Sequence, residues 1–325
     1  MTNDALQMSE RGDAVFAALA RQFPTANTWR LLIEQRLDAR RFAAIRGALL
    51  AYVSRVLGSS DVLDEPAALQ ALLERRAELP SYTQGGMLAP TREQTLEFNL
   101  LHRSVVNALA EFDLDAQIEG IDLPINVRLV YGDVDEARAK APFSSTKLHS
   151  DIWAGIPPDA AVVVLPVLGD IETLTIECYE MSREQELVAM RAMRDYDEGR
   201  PIEPALAYSD CSMKLGHLYV ADARLLHKTV RRKRGGVRLS IDFRFRYRDA
   251  GYRALTPAIE RGGPDSVDCR VPYSQWCSAA TDSLIVFSDT LESLGRRRSA
   301  ASSSPVNLAE YRLLPLATAG EGRRP

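Results

Sequence analysis

The chain has 325 residues, of which 46% are hydrophobic and 26% are charged, and its formal net charge is −4. These are ordinary values for a globular protein with a sizeable core. The acidic balance gives no electrostatic argument for nucleic-acid binding, and no apolar run approaches the roughly 20 residues of a membrane span. The N-terminus lacks a basic stretch followed by an apolar one, so we expect no secretory signal and a cytoplasmic location.

Hydrophobic spacing separates residues 1–118, which we expect to form a helical N-terminal region, from a strand-rich core. Apolar residues recur at helical steps of three and four over residues 40–57. Helices are also predicted in three more segments: residues 13–20, residues 66–79 and the long amphipathic segment 90–112. His102 lies in the last of these, where a lone histidine is more often core or surface filler than a ligand.

From residue 121 the hydrophobic period falls to nearly two, which is typical of β-strands. Strands are predicted over residues 125–132, 161–168, 173–178, 215–222 and 237–247. Pro166 indicates an edge strand or a bulge. Ser182 begins a predicted helix over residues 182–197, which is either a cover for a site or a simple surface insertion. The core is thus expected over residues 119–250.

Residues 251–325 carry weaker signals and are predicted to be a C-terminal extension whose end is flexible. Residues 283–287 favour a strand or a helix, and Ser- and Gly-rich segments follow. The four cysteines have no metal-site spacing and are too few to suggest a disulfide framework, so we expect reduced thiols. They are Cys178, Cys211, Cys269 and Cys277.

The segment over residues 237–247 alternates strictly, so its polar residues share one face of the predicted strand. They are Arg238, Ser240, Asp242, Arg244 and Arg246. The apolar face must pack on a core, and the polar face then looks into a polar cavity or into water. The basic turn over residues 231–236 has no interleaved aromatic residues, and we interpret it as a solvated loop.

His149 and Asp151 stand two residues apart just before a predicted strand. In an extended chain such residues project from the same face, so both side chains can hold one metal ion. The third ligand is His227, or alternatively His217, which begins the predicted strand ten residues earlier. Two histidines and one carboxylate on one face of the metal form the ligand set of non-haem Fe(II) oxygenases.

His149-x-Asp151, then His227, ten intervening residues and Arg238-x-Ser240 resemble the signature of the Fe(II)/2-oxoglutarate-dependent dioxygenases. The signature covers under a third of the chain, and the 75 residues between Asp151 and His227 exceed the span in many members. The resemblance implies that His149, Asp151 and His227 bind Fe(II). It also implies that Arg238 and Ser240 hold the far carboxylate of the cosubstrate 2-oxoglutarate, while O2 takes the last metal position.

The fold that the resemblance implies is an α+β protein with a double-stranded β-helix (jelly roll) core and a helical N-terminal region packed on it. The implied reaction is oxidation, most simply hydroxylation, of a C–H bond in a small polar metabolite such as a natural-product biosynthesis intermediate. Succinate and CO2 are then released. Because related halogenases replace the ligating carboxylate with a small residue, Asp151 disfavours halogenation, whereas desaturation or ring formation stay open.

No catalytic side chain is predicted beyond the metal ligands. Five residues are candidates for contacting the substrate, and Thr146 is a further pocket candidate. The five are Asn126, Arg128, Lys147, Trp153 and Arg244. An outer solvated face for Asn126 and Arg128, and a core position for Trp153, are equally good interpretations.

Two alternatives remain: a cupin-type metalloenzyme that uses the triad without 2-oxoglutarate, and a non-catalytic small-molecule-binding protein. We expect a small-molecule substrate and neither nucleic acid nor membrane as partner. A homodimer is one option for the oligomeric state, which the sequence leaves open.

Overall fold

The computed structural model describes residues 3–79, 86–114, 116–122, 125–133, 139–199, 202, 206–207, 212–232, 235–255, 270–272, 283–287 and 311–315. Within them the chain is a mixed α/β protein with six α-helices and a large antiparallel sheet. The helices are α1 (Asn3–Ala20), α2 (Ala39–Val56), α3 (Glu65–Glu74), α4 (Thr95–Leu109), α5 (Arg183–Ala189) and α6 (Ala250–Leu255). Three 3-10 helices are η1 (Arg92–Gln94), η2 (Asp151–Ala154) and η3 (Tyr196–Gly199). No described helix has the length and apolar composition needed to cross a membrane.

The described strands form three antiparallel sheets. The strands are β1 (Asn27–Trp29), β2 (Leu32–Arg36), β3 (Met87–Leu88), β4 (Ile118–Asp122), β5 (Asn126–Tyr131), β6 (Ala160–Gly169), β7 (Leu174–Glu180), β8 (Leu206–Ala207), β9 (His217–Asp222), β10 (Leu226–Arg231), β11 (Val237–Tyr247), β12 (Arg270–Pro272), β13 (Ser283–Phe287) and β14 (Tyr311–Pro315). The large sheet has the order β1-β2-β9-β6-β11-β4-β12, with β5 beside β11 and β3 beside β5. A smaller sheet has the order β10-β7-β8, and β13 pairs with β14.

Strand β11 lies inside the large sheet, and its bounds match the predicted strand over residues 237–247. It pairs with β6 on one side and with β5 and then β4 on the other. Both of its faces are covered, because every residue except the half-buried Arg244 is buried. The predicted polar face therefore does not look into open water.

The two faces of β11 meet different surroundings. Its apolar residues, from Leu239 to Tyr247 at alternate positions, belong to one buried core with Ile45 and Leu49 of α2. Its polar residues face the smaller sheet, since Arg238 donates a hydrogen bond from Nη1 to the Leu174 carbonyl of β7 at 2.8 Å. The space between the sheets is thus partly polar, whereas the helices cover the opposite face.

The predicted helical N-terminal region also contains strands that the sequence analysis did not find. β2 pairs with β9 and so extends the large sheet, with Glu34 opposite Tyr219. Helical spacing could not reveal this, because a five-residue strand obtains its stability from the partner strand rather than from local periodicity. The four predicted helices nevertheless overlap α1 to α4, although α1 begins ten residues earlier than predicted and α3 ends five residues earlier. Asp38 caps α2 by accepting from the Arg40 and Arg41 amides.

The inserted helix is shorter than predicted. Its start is confirmed, because Ser182 and Gln185 form a capping box. The helix ends at Ala189, however, and Tyr196 belongs to η3 instead of continuing α5. Pro166 lies inside the large sheet at a bulge opposite Ser240, so the edge-strand alternative is wrong and the bulge is confirmed.

Several C-terminal predictions lie outside the described residues, including the flexible end and three of the cysteines. Residues 283–287 form strand β13, so the helical alternative there is wrong. Cys178 is buried and forms no disulfide bond within the described residues.

A buried ion cluster ties helices α1 and α5 to the turn after β9. Arg224, with no exposed side-chain surface, binds Asp222, Asp13 and Glu186 at 2.7–2.9 Å. Ser9 of α1 donates to the same Glu186 carboxylate. Ala223, the residue before Arg224, contacts the candidate site. Its carbonyl accepts hydrogen bonds from the Ser150 hydroxyl and the Ile152 amide. The cluster therefore lies directly behind the segment that carries Asp151.

Candidate metal and anion site

Two histidines from distant parts of the chain face each other as neighbours across a β-bridge. The His149 amide donates to the His227 carbonyl at 3.0 Å, and the His227 amide donates to the His149 carbonyl at 2.8 Å. His227 lies on β10 opposite Cys178 of β7, so His149 adds one residue to the edge of the smaller sheet. The two ring centroids are 4.3 Å apart.

Both imidazole rings are oriented by backbone carbonyls. Nδ1 of His149 lies 2.8 Å from the Lys147 carbonyl oxygen, and Nδ1 of His227 lies 3.1 Å from that of Leu225. Because a carbonyl can only accept, each Nδ1 carries the ring proton and each Nε2 keeps a free lone pair. A carbonyl that accepts from Nδ1 is the usual means by which a protein orients a histidine metal ligand.

Asp151 completes a group of three ligands. It begins η2 directly after the β-bridge, and the left-handed Gly155 (φ 87°) ends that short helix. The ligand atoms of His149, Asp151 and His227 all lie within 4.8 Å of one another, and no other such group was found among the residues that the structure describes. Two neutral nitrogen donors and one carboxylate suit a divalent transition metal with open coordination positions.

Burial keeps the His149 ring neutral. Removal from water, and then the proximity of the His227 imidazole, lower the pKa of His149 to about 3, although Asp151 and the Lys147 carbonyl act in the opposite direction. A metal must displace a proton from any protonated imidazole, so a ring that is already neutral binds it without that penalty. The residues therefore fit the metal that the ligand set implies.

Arg238 is a buried cation without a carboxylate partner among the described residues. It is 2% exposed, its Nη1 donates to the Leu174 carbonyl, and its Nε makes no hydrogen bond. Burial, and then the charge of Arg128, lower the pKa of Arg238 to about 10. The hydroxyl of Ser240, 1% exposed and on the same face, also makes no hydrogen bond in the described structure. Buried donors left in this state are the features of an anion site.

Asn126 and Arg128, two of the predicted substrate contacts, both bind the Asp242 carboxylate of β11. The Asn126 amide donates to Asp242 Oδ1 at 2.9 Å, and Arg128 donates from Nε to Oδ2 at 2.7 Å. Burial alone would raise the pKa of Asp242, but the Arg128 charge and these hydrogen bonds outweigh it and lower the pKa. Both residues are partly exposed, and their contact with a substrate stays a prediction.

Tyr196 covers one side of the metal group, and the sequence analysis did not assign it a role. Its ring stacks on His149 with centroids 4.1 Å apart and an interplanar angle of 17°. Burial, and then the charge of Asp151, raise the pKa of its hydroxyl, while Arg244 and Arg128 act to lower it. Those effects place the hydroxyl among the charges of the site. No sequence signal separates this tyrosine from the other ten, because its position depends on where α5 ends.

A cavity of about 230 Å³ opens beside the Tyr196 ring. Its lining residues are Lys147, Leu148, Tyr196, Asp197 and Gly199. Lys147 donates to Asp197 Oδ2 at 2.7 Å, so an ion pair joins the ligand-bearing segment to η3. The predicted pocket position of Lys147 agrees with this lining.

Trp153 is a core residue and not a pocket residue. Its side chain is completely buried, and its indole nitrogen donates to the Ala189 carbonyl at 2.9 Å. The ring also fills the space next to Gly199, where an added Cβ would come within 2.1 Å of it. The core alternative for Trp153 is therefore the correct one.

The remaining two histidines lie away from the metal group. His217 Nδ1 is 2.8 Å from the Glu34 carboxylate at the β2–β9 pair, and His102 is buried in α4. Neither belongs to the cluster that His149, Asp151 and His227 form. Thr146, a further pocket candidate, has its hydroxyl 2.9 Å from that of Ser144.

No protein-family model and no curated protein matches this sequence. The solved structures that it resembles include the non-haem α-ketoglutarate-dependent epimerase SnoN from nogalamycin biosynthesis, with 15% identity and a TM-score of 0.38 over 80% of this chain and 99% of that one. AviO1 from Streptomyces viridochromogenes gives 12% identity and a TM-score of 0.36 over 72% and 95% of the two chains. An N-substituted L-amino acid dioxygenase from Burkholderia ambifaria gives 13% and 0.31 over 74% and 91%. Similarity at this level assigns neither substrate nor reaction, which are argued below from the site itself.

Proposed function

We propose that this protein is an Fe(II)- and 2-oxoglutarate-dependent oxygenase. The observation that supports it best is the combination of a two-histidine, one-carboxylate group with a buried guanidinium on β11 that has no carboxylate partner among the described residues. A metal site alone is shared by many enzymes. A metal site with a separate buried anion site suits a cosubstrate that has one end on the metal and a carboxylate at the other end.

The spacing along the strands supports this arrangement. The Leu174 carbonyl that binds Arg238 stands opposite Arg231 on β10, whereas His227 stands opposite Cys178. Four residues of strand separate these levels, which is about 13 Å between backbones before the side chains extend. A short dicarboxylate can therefore reach from the metal group toward the Arg238 guanidinium and the Ser240 hydroxyl.

The strand order also supports a double-stranded β-helix for residues 119–250. One wall would be β5-β11-β6-β9, and the other would be the His149 bridge followed by β10-β7-β8. Both histidines then project from one wall, and Arg238 projects from the other toward it. Inward-facing positions of such a barrel hold ligands contributed by strands that are distant in sequence.

His149, Asp151 and His227 would hold the iron, and Arg238 with Ser240 would hold the 5-carboxylate of 2-oxoglutarate. Iron bound there supplies O2 activation coupled to decarboxylation of 2-oxoglutarate to succinate, with oxidation of a substrate C–H bond. The chain's own residues orient the reactants: two carbonyls fix the imidazoles, and the Tyr196 ring shields His149 from water. We favour hydroxylation of a small polar metabolite, such as a natural-product intermediate.

Titration of the anaerobic Fe(II) protein with 2-oxoglutarate tests the proposal. A weak visible charge-transfer band should appear and saturate, and His149→Ala should abolish it. Arg238→Gln should keep Fe(II) binding but weaken 2-oxoglutarate binding by about tenfold or more, the loss expected for a charge-assisted hydrogen-bond pair. Arg36→Gln, at an exposed position of β2, is the matched control and should bind like the wild type.

A cupin-type metalloenzyme without 2-oxoglutarate is the second candidate. It accounts for the metal group but leaves Arg238 and Ser240 as buried donors with no purpose. Fe(II) binding without any 2-oxoglutarate-dependent band would favour this candidate and contradict the proposal.

A further inference from the structure

Arg244 is a second guanidinium on the inner face of β11 that the proposed function leaves unused. It shares that face with Arg238, Ser240 and Asp242 because it has the same strand parity. Its Nε atom is buried without a hydrogen-bond partner, and no carboxylate of the described residues forms an ion pair with it. Every other polar residue on this face of the strand is either paired or assigned.

The arginines on either side of Arg244 are each paired with a carboxylate. Arg246 binds the buried Asp159 carboxylate through Nε at 3.0 Å, and Arg128 of β5 binds Asp242 through Nε at 2.7 Å. Each of these charges is neutralised inside the protein. Arg244 lies between the two pairs without a carboxylate of its own, although a buried charge normally requires one.

Arg244 and Arg238 serve different ends of the site. Six residues of strand separate them, which is about 20 Å between backbones, and Arg238 is bound to the Leu174 carbonyl at its own end. The charges that perturb the pKa of Arg238 are those of Arg128, Asp242 and Arg231. The charge of Arg244 acts instead on the Tyr196 hydroxyl and on Asp242.

The end near Arg244 is the one that carries Asp151. The Ile152 amide donates to the Ala223 carbonyl, and the Ala223 amide donates to the Ala160 carbonyl. Ala160 stands opposite Arg246 on β11, and Val162 stands opposite Arg244. The metal-ligand turn is therefore at the level of Arg244–Arg246, while the proposed cosubstrate anchor is at the other end of the strand.

Toward β6 and β9, by contrast, the neighbours of Arg244 on the inner face are apolar. Val162 stands directly opposite it, and Ala221 stands opposite Val162. Ala221 packs against a small buried cluster between the sheets that includes Leu32 and Tyr219. A cation at the edge of such a surface can hold the charged end of a molecule whose apolar part lies along the rest.

We propose that Arg244 binds an oxyanion group, a carboxylate or a phosphate, of the substrate. This inference rests on the proposed function, because it assigns 2-oxoglutarate to Arg238 and leaves Arg244 for the second reactant. The substrate class is therefore a small anionic metabolite. A planar guanidinium binds either oxyanion through two parallel hydrogen bonds.

Calorimetric titration of the Zn(II)-loaded protein with acetate and with methyl phosphate, at constant ionic strength and saturating 2-oxoglutarate, tests this proposal. Zn(II) occupies such ligand sets without redox chemistry, so no turnover interferes. We expect one of the two anions to bind saturably in the wild type. Arg244→Gln should weaken that binding by about tenfold or more, Arg244→Lys should restore part of it, and Arg36→Gln should leave it unchanged.

The preferred anion identifies the source of the oxyanion: acetate indicates a carboxylic acid substrate, and methyl phosphate indicates a phosphate ester. Equal binding by wild type and Arg244→Gln would overturn the proposal, as would the absence of saturable binding in the wild type. Unchanged 2-oxoglutarate affinity in Arg244→Gln shows that this variant is folded.

The same titration on Arg238→Gln without 2-oxoglutarate separates this proposal from the proposed function. If 2-oxoglutarate does not bind the wild type at all, the proposed function is wrong. The assignment of Arg244 is still supported if Arg238→Gln binds the anion and the double variant Arg238→Gln/Arg244→Gln does not.

Discussion

Replacing Arg238 by methionine should stabilise the ligand-free protein while removing its cosubstrate binding. Methionine has a similar length and no charge. Burial without a carboxylate partner lowers the pKa of Arg238 from its ordinary value to about 10. A lowering of this size means that the folded state disfavours the charge by about 3 kcal/mol relative to the unfolded chain. Loss of the hydrogen bond to the Leu174 carbonyl offsets about 1–2 kcal/mol of the stability gained by removing the charge.

We therefore expect Arg238→Met to raise the free energy of unfolding in urea by about 1–2 kcal/mol when 2-oxoglutarate is absent. Addition of 2-oxoglutarate at 100 times its dissociation constant should stabilise the metal-loaded wild type by about 2.7 kcal/mol and the variant not at all. The order of stability of the two proteins should then reverse.

Arg246→Met is the matched control, because Arg246 lies on the same strand and face but is paired with buried Asp159. Removing one partner of a buried ion pair typically destabilises by about 3–5 kcal/mol. If Arg238→Met destabilised the ligand-free protein as strongly as Arg246→Met, then Arg238 would have a partner in the protein, and its assignment as an anion anchor would be wrong.

Two further predictions concern residues around the site and in the helical layer. Burial lowers the pKa of His102 to about 3. Below pH 6.5 the unfolded chain therefore binds a proton at this residue, whereas the folded chain does not. The free energy of unfolding consequently falls as the pH is lowered. Urea unfolding should show that the wild type loses about 2 kcal/mol more than His102→Gln between pH 7 and pH 5, and equal losses would contradict the burial argument. Gly199→Ala forces a Cβ to within 2.1 Å of the buried Trp153 ring, so it should destabilise by about 1–3 kcal/mol and weaken metal binding through the displaced Tyr196. Gly47→Ala is the control: there is open space around its new Cβ, so it should stabilise α2 by about 0.5–1 kcal/mol. Wild-type metal affinity in Gly199→Ala would contradict the predicted effect on metal binding.

Local pattern was sufficient wherever a residue's neighbours in sequence decide its structure. The alternation over residues 237–247 determines a strand with one polar face, because side chains alternate across a strand. Asp38 and Ser182 determine helix starts, because a cap acts on amides within the next three residues. The pairing of His149 with Asp151 could also be predicted, since two residues of spacing relate them locally.

Contacts across the chain decided everything else about the site. The third histidine was predicted as His227 with His217 as the alternative, and only the pairing of residue 149 with β10 and of β9 with β2 could separate the two. Arg128 pairs with Asp242, Trp153 lies in the core, and Tyr196 covers His149. Each of these contacts joins segments that are many residues apart in the chain. Burial is a property of the packed molecule, and so is the energy of a guanidinium that has no carboxylate beside it. Only the tertiary structure could therefore show that Arg238 and Arg244 lack carboxylate partners within the described chain.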